Sequence, residues 1–461
     1  MREADFRRLL AVGLDGIERW ESGFPAFASH PSLEVEPQAA IAAIDALVER
    51  LHDNYPYFHP DYAGQMQRPP HAVALAAYAV AARINPNNHA LDGGRATAFL
   101  EQECVAQLAA MFGFAAPSLG HLTSSGTIAN LEALWVASQL HPGKSIAFSE
   151  EAHYTHARMC DVLGVAHHRL PVDARGKIDL DALADLRPAD IGTIVVTAGT
   201  TACGAVDPIH DVLAWARQRG VRVHVDAAYG GFFATIASEP SAKMDEQHWR
   251  AIAACDSVVV DPHKHGLQPY GCGAVIFADP TVGAFYRHDS PYTYFTSEEL
   301  HPGEISLECS RAGAAAAALW ATLRLFPLTA QGLGRSLSAS RRAALLAAAE
   351  ADASGVLVPV VRPELDIITF APIAPGERVP ASVVSQRSER AFARCERDAA
   401  PLFLAKWKLP RAFGCRALER VEWDADHCTV LRSVMMKPEH ERYAADIARR
   451  IAAHALPERR L

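Results

Sequence analysis

The sequence predicts an α/β protein with two layers of organisation: a large domain built on a mostly parallel β-sheet, then a smaller C-terminal α+β domain. Three observations predict it. Short apolar, β-branched runs alternate with helix-like segments between residues 145 and 277. A polar residue of distinct chemistry follows most of these runs. Beyond about residue 330 the alternation changes to strand-like runs at 356–361, 367–370, 402–409 and 429–436, mixed with helices such as 439–455. Alternating βα units make parallel strands whose carboxyl ends share one edge, and ligands of open α/β sheets bind at that edge.

Bulk properties narrow the class. A chain of 461 residues, 50% hydrophobic, can bury a large core and more than one domain. A net charge of -9 gives nucleic acid or an anionic membrane nothing to hold. Nine cysteines, an odd number without a C-x-x-C pair, suit a reducing compartment. The Ala-rich run at 312–319 is too short to span a bilayer, so a soluble cytoplasmic protein is expected.

Taken in order, residues 1–60 read as an N-terminal helical segment, 61–330 as the large domain and 331–461 as the small one. Ile41, Ile44, Leu47, Val48 and Leu51 form one apolar face of the second helix. A helix pair this small has little to bury against, so it is expected to pack on a partner subunit or on the main domain. The aromatic, proline-rich stretch 55–66 is either a surface loop or a lip of a substrate pocket. Helices follow at 71–83 and 97–112. Thr123-Ser124-Ser125-Gly126-Thr127-Ile128-Ala129-Asn130 then opens another helix. Hydroxyls there cap the helix, and the same free N–H groups and dipole end make an anion site. No lysine follows the glycine, so this is not the phosphate loop of nucleotide hydrolases.

Predicted strands come next. Residues 145–148 lead to His153, 192–197 to Gly199-Thr200-Thr201, and 221–225 to Asp226-Ala227-Ala228. Residues 257–260 lead to Asp261-Pro262-His263-Lys264, and 274–277 form one more strand. Lys264 has three readings: a solvated lysine, a salt-bridge partner for Asp226, or an amine that forms a Schiff base. A salt bridge leaves the hydroxyl-rich helix start and His153 unexplained. Pyridoxal 5′-phosphate (PLP) accounts for all four features. Its aldehyde takes the lysine, its ring nitrogen the carboxylate, its phosphate the helix start, and its flat ring a planar neighbour.

These ordered stretches, together with Asp207 and His224-Val225-Asp226-Ala227-Ala228-Tyr229, resemble the group II PLP-dependent decarboxylases over most of the chain. The resemblance implies fold type I, the aspartate-aminotransferase-like fold with a seven-stranded large-domain sheet, and a homodimer with both sites at the subunit interface. It implies that Lys264 is the Schiff-base lysine and Asp226 the partner of the pyridinium nitrogen. His153 would stack on the ring, with Ala228 against the other face. Ser125, Gly126, Thr127 and His263 would contact the phosphate. Thr200 and Thr201 both fall where the family has a ring-contacting threonine. Arg432 is similar in position to the family's substrate-carboxylate arginine, and its planar fork suits that task.

The implied reaction is loss of CO2 from an L-amino acid through a Lys264 aldimine and a quinonoid. Residues 290–312 depart from the aromatic amino acid decarboxylases with a long mobile loop. They are more similar to the compact archaeal tyrosine/aspartate decarboxylases and to sphingosine-phosphate lyases. Tyr292, Tyr294 and His153 are then all candidates for the proton donor. Two rivals stand beside decarboxylation: carbon–carbon cleavage of a phosphorylated amino alcohol, and a non-catalytic scaffold. The aromatic stretch 55–66 favours an aromatic or apolar substrate and leaves acidic ones open.

Overall fold

The computed structural model describes residues 3–286, 305–374 and 376–455. Tyr292 and Tyr294 lie outside the described residues. Helices α1 (Glu3–Glu21), α2 (Pro37–Leu51), α3 (Ala72–Ile84) and α4 (Leu91–Met111) precede the first strand. The large sheet has seven strands: β1 (Leu119–Thr123), β2 (Ser145–Ser149), β3 (His167–Leu170), β4 (Ile191–Thr197), β5 (Arg222–Asp226), β6 (Ser257–Val260) and β7 (Gly273–Phe277). Their order is β1-β7-β6-β5-β4-β2-β3. Strands β3, β2, β4, β5 and β6 run parallel, and β7 is antiparallel to both β6 and β1.

The antiparallel strand has a local cause. Residues 261–272 connect β6 to β7 without a helix, and the chain turns straight back. That turn carries Lys264. Strands β4 and β6 are buried at every position, as strands covered on both faces are. Strands β1 and β3 complete the seven that the resemblance implies, but no apolar run located them. Leu119–Thr123 holds a glycine and a histidine in place of a β-branched run, and β3 is an edge strand exposed at its centre.

Between the strands lie α5 (Gly126–Leu140), α6 (Thr155–Leu163), α7 (Leu180–Ala184), α8 (Ile209–Arg217) and α9 (Glu246–Ala251). Helices α10 (Gly313–Leu325) and α11 (Gly334–Ser354) lead to the C-terminal domain. There β8 (Val358–Pro359), β9 (Ile367–Ala371), β11 (Ala405–Pro410) and β13 (His427–Val434) form an antiparallel sheet in the order β11-β13-β9-β8. The two-residue strands β10 (Val379–Pro380) and β12 (Val421–Glu422) pair beside it. Helices α12 (Ala381–Arg397) and α13 (His440–Ala455) pack on that sheet with α11.

Residues 61–64, placed in the large domain from sequence, run along the small-domain sheet. Ala63 N donates to Phe403 O and Ala63 O accepts from Val434 N, at 2.9 and 2.8 Å. At the other end, α1 packs on α3, while Ile41, Ile44 and Leu47 of α2 are more than half exposed in the single chain.

Candidate active site

The carboxyl ends of β4, β5 and β6 and the start of α5 enclose a cavity of about 180 Å³. Ser125, Gly126, Thr127, His153, Thr201, Asp226, Ala228, His263 and Lys264 all line it. These residues come from five separate stretches of chain, and parallel strand polarity brings them to one edge.

Asp226 ends β5. Its Oδ2 accepts from His156 Nε2 at 2.8 Å, and its Oδ1 from the Ala228 amide at 3.1 Å. Burial pushes its pKa up, but the His156 hydrogen bond and charge, Lys264 and the Ala228 amide outweigh it. The carboxylate is held below its ordinary range. His156 lies three residues after His153, across the N-cap of α6, and the spacing was the signal that could have found it.

Lys264 does not pair with Asp226. Its Nζ lies 3.1 Å from Asp261 Oδ2, which is also 3.5 Å from His263 Nε2. Asp261, read from sequence only as a strand terminator, is therefore part of the site. Its carboxylate lies against the start of α5: a Cβ at Gly126 would sit 2.6 Å from Asp261 Oδ2, so any side chain there would have to displace that carboxylate. His263 Nδ1 donates to Cys272 O at 2.7 Å, and burial lowers its pKa.

Ser125 is the N-cap of α5, its Oγ accepting from Ile128 N at 3.3 Å. The capping role and an anion site are compatible, because first-turn amides have no helical acceptor. The helix start is braced from beneath. Asn130 Nδ2 donates to Gly126 O at 2.9 Å, and Asn130 Oδ1 meets His224 Nε2 at 2.9 Å. His224 Nδ1 meets Ser257 Oγ at 2.8 Å, and burial lowers the imidazole pKa to about 3, so it is neutral.

His153 Nδ1 accepts from the Thr155 amide at 3.3 Å and contacts its hydroxyl at 2.7 Å, which fixes the ring; burial lowers its pKa. The two candidate threonines separate. Thr200 is fully buried in a turn, where its Oγ1 accepts from Ala205 N at 3.1 Å, so the expectation that it also faces the site is corrected. Thr201 faces the cavity. Asp207 lies outside it. Its carboxylate takes the Ile178 and Thr197 amides at 2.8 and 2.7 Å and pins the end of β4, and burial raises its pKa to about 7.

A second cavity, about 340 Å³, adjoins the first and shares His153 and Thr201 with it. Arg432 on β13 reaches it although the residue is only 4% exposed. Its Nε donates to Ala202 O at 3.0 Å and its Nη1 to Gly64 O at 3.4 Å, while Nη2 is buried without a partner. Gln65, Glu150, Glu151, Tyr154 and Trp407 share this wall.

The donor set fits PLP. The cavity offers an amine, a carboxylate for a ring N–H, an imidazole and a small residue for two ring faces, and hydroxyls with a helix start for a phosphate. Thr197 Oγ1 and Asp261 Oδ1 are buried beside it without partners, as expected of a place built for a polar guest. Fold and site together define a PLP enzyme of fold type I. The pyridoxal-dependent decarboxylase conserved domain matches residues 51–355, and the chain belongs to that family.

The chain is 29% identical over 405 residues to an L-tyrosine decarboxylase of Enterococcus faecium, covering 66% of each chain. It is 31% identical over 244 residues to a probable L-tyrosine/L-aspartate decarboxylase of Methanoregula boonei, covering 52% of this chain and 65% of that one. It thus spans just under two thirds of the length of these relatives. Two crystal structures share the fold. Oryza sativa TDC with PLP and tryptamine superposes with a TM-score of 0.76 at 16% identity, covering 98% of both chains. Mouse CSAD superposes with a TM-score of 0.74 at 18% identity, covering 98% and 92%. Among the described residues, no helix is long and apolar enough to cross a membrane.

Proposed function

We propose that the protein removes the carboxylate of an aromatic L-amino acid as CO2, leaving the amine, and does so as a homodimer. The observation that carries this reading is the Lys264 amine lining one cavity with the His156-anchored carboxylate of Asp226. Lys264 is the amine that carries the cofactor. Asp226, kept ionised, holds a proton on the ring nitrogen. Bound PLP supplies an electron sink for the pair released when a bond at Cα breaks. Ser125, Gly126, Thr127 and His263 hold the phosphate, His153 and Ala228 flank the ring, and Thr201 contacts its edge.

Reaction choice falls to Arg432. The bond at Cα that breaks is the one parallel to the ring π-orbitals, so the residue that orients the carboxylate selects decarboxylation over loss of the Cα proton. Arg432 has a spare Nη2 for a carboxylate oxygen.

Substrate class follows from the second cavity. Trp407 and Tyr154 suit an aromatic ring, while Glu150 and Glu151 disfavour an acidic side chain. Burial and the Glu150 charge raise the Glu151 pKa to about 7, so it is neutral below that pH and charged above it. Lys406, the other cation on this wall, is tied to Glu389 at 2.6 Å, which leaves little for a second phosphate and disfavours the carbon–carbon lyase reading. The exposed apolar face of α2 supports self-association.

The test is CO2 release from a panel of aromatic, acidic and aliphatic amino acids by the PLP-loaded protein. The expected result is CO2 and amine from aromatic substrates. Aldehyde without CO2 from a phosphorylated amino alcohol would establish the lyase. Arg432→Met should lower decarboxylation by on the order of 10²-fold with the cofactor still bound, as loss of substrate positioning does.

A further inference from the structure

A larger cavity, about 460 Å³, lies apart from both described so far, in the cleft between the large sheet's domain and the C-terminal domain. Val206, Met244 and Trp249 give it an apolar wall from one side, and Val360 and Val361 from the other. Five cationic side chains but two carboxylates line it, in a protein whose net charge is -9.

The carboxylates are already engaged. Glu364 Oε1 pairs with Lys177 Nζ at 2.7 Å and its Oε2 accepts from Val206 N at 3.4 Å. Asp245 caps α9 through Gln247 N and lies 3.5 Å from His248 Nε2. Arg341 on α11 is different. It is 9% exposed, its Nε donates to Glu364 O at 2.7 Å, and no carboxylate among the described residues meets its guanidinium. The nearest acid, Glu364, is already paired with Lys177, so the largely buried guanidinium has only a shared counter-charge, and its fork matches a further carboxylate. Lys243, held at φ +49° on the rim, adds a second cation with no ion pair among the described residues. Both acids are engaged and the five cations outnumber them, so the cleft favours a free carboxylate over an amino acid zwitterion.

We propose that this cleft binds an aromatic monocarboxylate without an amino group, its ring on Trp249 and its carboxylate on Arg341, and that occupancy is linked to the active site. The link is three residues long. Glu364 lies in the cleft. Leu365 Cδ1 packs where side chains at Gly199 and Gly230 would be, 2.9 and 2.8 Å from their Cβ positions. Asp366 accepts from Tyr229 Oη at 2.5 Å and from His265 Nε2 at 2.8 Å. Tyr229 lines the Lys264 cavity, and His265 follows Lys264 in the chain.

The test is calorimetric titration of the PLP-loaded protein with indole-3-acetate, with inorganic phosphate and tryptamine as comparison probes. Indole-3-acetate should bind saturably, the other two at least tenfold more weakly. Arg341→Met should weaken it about tenfold or more. Lys243→Glu, an exposed change that leaves the core alone, should weaken it severalfold. Indole-3-acetate should also change the decarboxylation rate, and the concentration needed for half the change should rise severalfold in Lys243→Glu. Absence of saturable binding, binding unchanged in both variants, or phosphate binding equally well would overturn the site. Binding without any change in rate would overturn the link.

Discussion

Two buried imidazole–carboxylate pairs flank Lys264, and they do opposite things. His156–Asp226 and His265–Asp366 both meet at 2.8 Å, and all four residues are buried. Asp226 faces a cavity. Asp366 has both oxygens consumed, by Tyr229 and His265, and thereby ties the large domain to the residue preceding β9. Chemistry and geometry of the pairs are alike. What separates a site from a strap is the space left open beside the carboxylate.

Substitutions can break that comparison. The largest effect falls on the lysine between the pairs: Lys264→Ala should lose the visible absorption of its PLP imine and reduce CO2 release to background, with thermal stability near wild type. A coloured, active variant would remove Lys264 from its role. Next, Asp226→Asn keeps a hydrogen-bond acceptor for His156 but cannot hold the ring proton by charge. We expect kcat to fall on the order of 10²-fold or more, since a positioned proton-bearing group is worth about 10²–10⁴-fold. Asp366→Ala should do the reverse. It leaves a tyrosine hydroxyl and an imidazole without their acceptor and should cost about 3–5 kcal/mol of stability in urea unfolding, as breaking a buried pair does. Equal effects of the two changes on stability and on kcat would abolish the distinction.

A smaller effect sharpens it on the strap side. Lys437, buried with its Nζ on Tyr62 O at 2.5 Å, has its pKa lowered to about 7 by burial and by Arg68. Its unfolded value is higher, near 10.5. Between these two pH values the unfolded chain binds the extra proton, so this lysine's contribution to stability rises with pH and is lost as pH falls through 7. Relative to Lys437→Met, the wild type should gain stability between pH 7 and 9.5, by at most about 1.4 kcal/mol per pH unit. A flat difference would show that the lysine stays charged in the fold.

Much of the site was legible because its chemistry needs particular residues at strand ends. Lys264, Asp226, His153 and the start of α5 announce themselves by type and by what precedes them. Asp261 and Asn130 stood inside stretches already singled out, yet one looked like a strand terminator and the other like an ordinary helix residue. Their roles depend on what lies across the sheet from them. His156 was missed because its partner is 70 residues away.

By itself, the sequence determined the βα alternation, the edge of the sheet at which the polar groups gather, and that an amine at 264 and a carboxylate at 226 stand there. These follow from local periodicity and from strand polarity, which every short segment carries. Only the tertiary structure decided that β7 turns back against β6, that Thr201 and not Thr200 faces the cavity, and that Lys264 rests on Asp261. It alone also opened the cleft at Arg341. Those outcomes depend on which distant groups meet and on where packing leaves room, and residue spacing encodes neither.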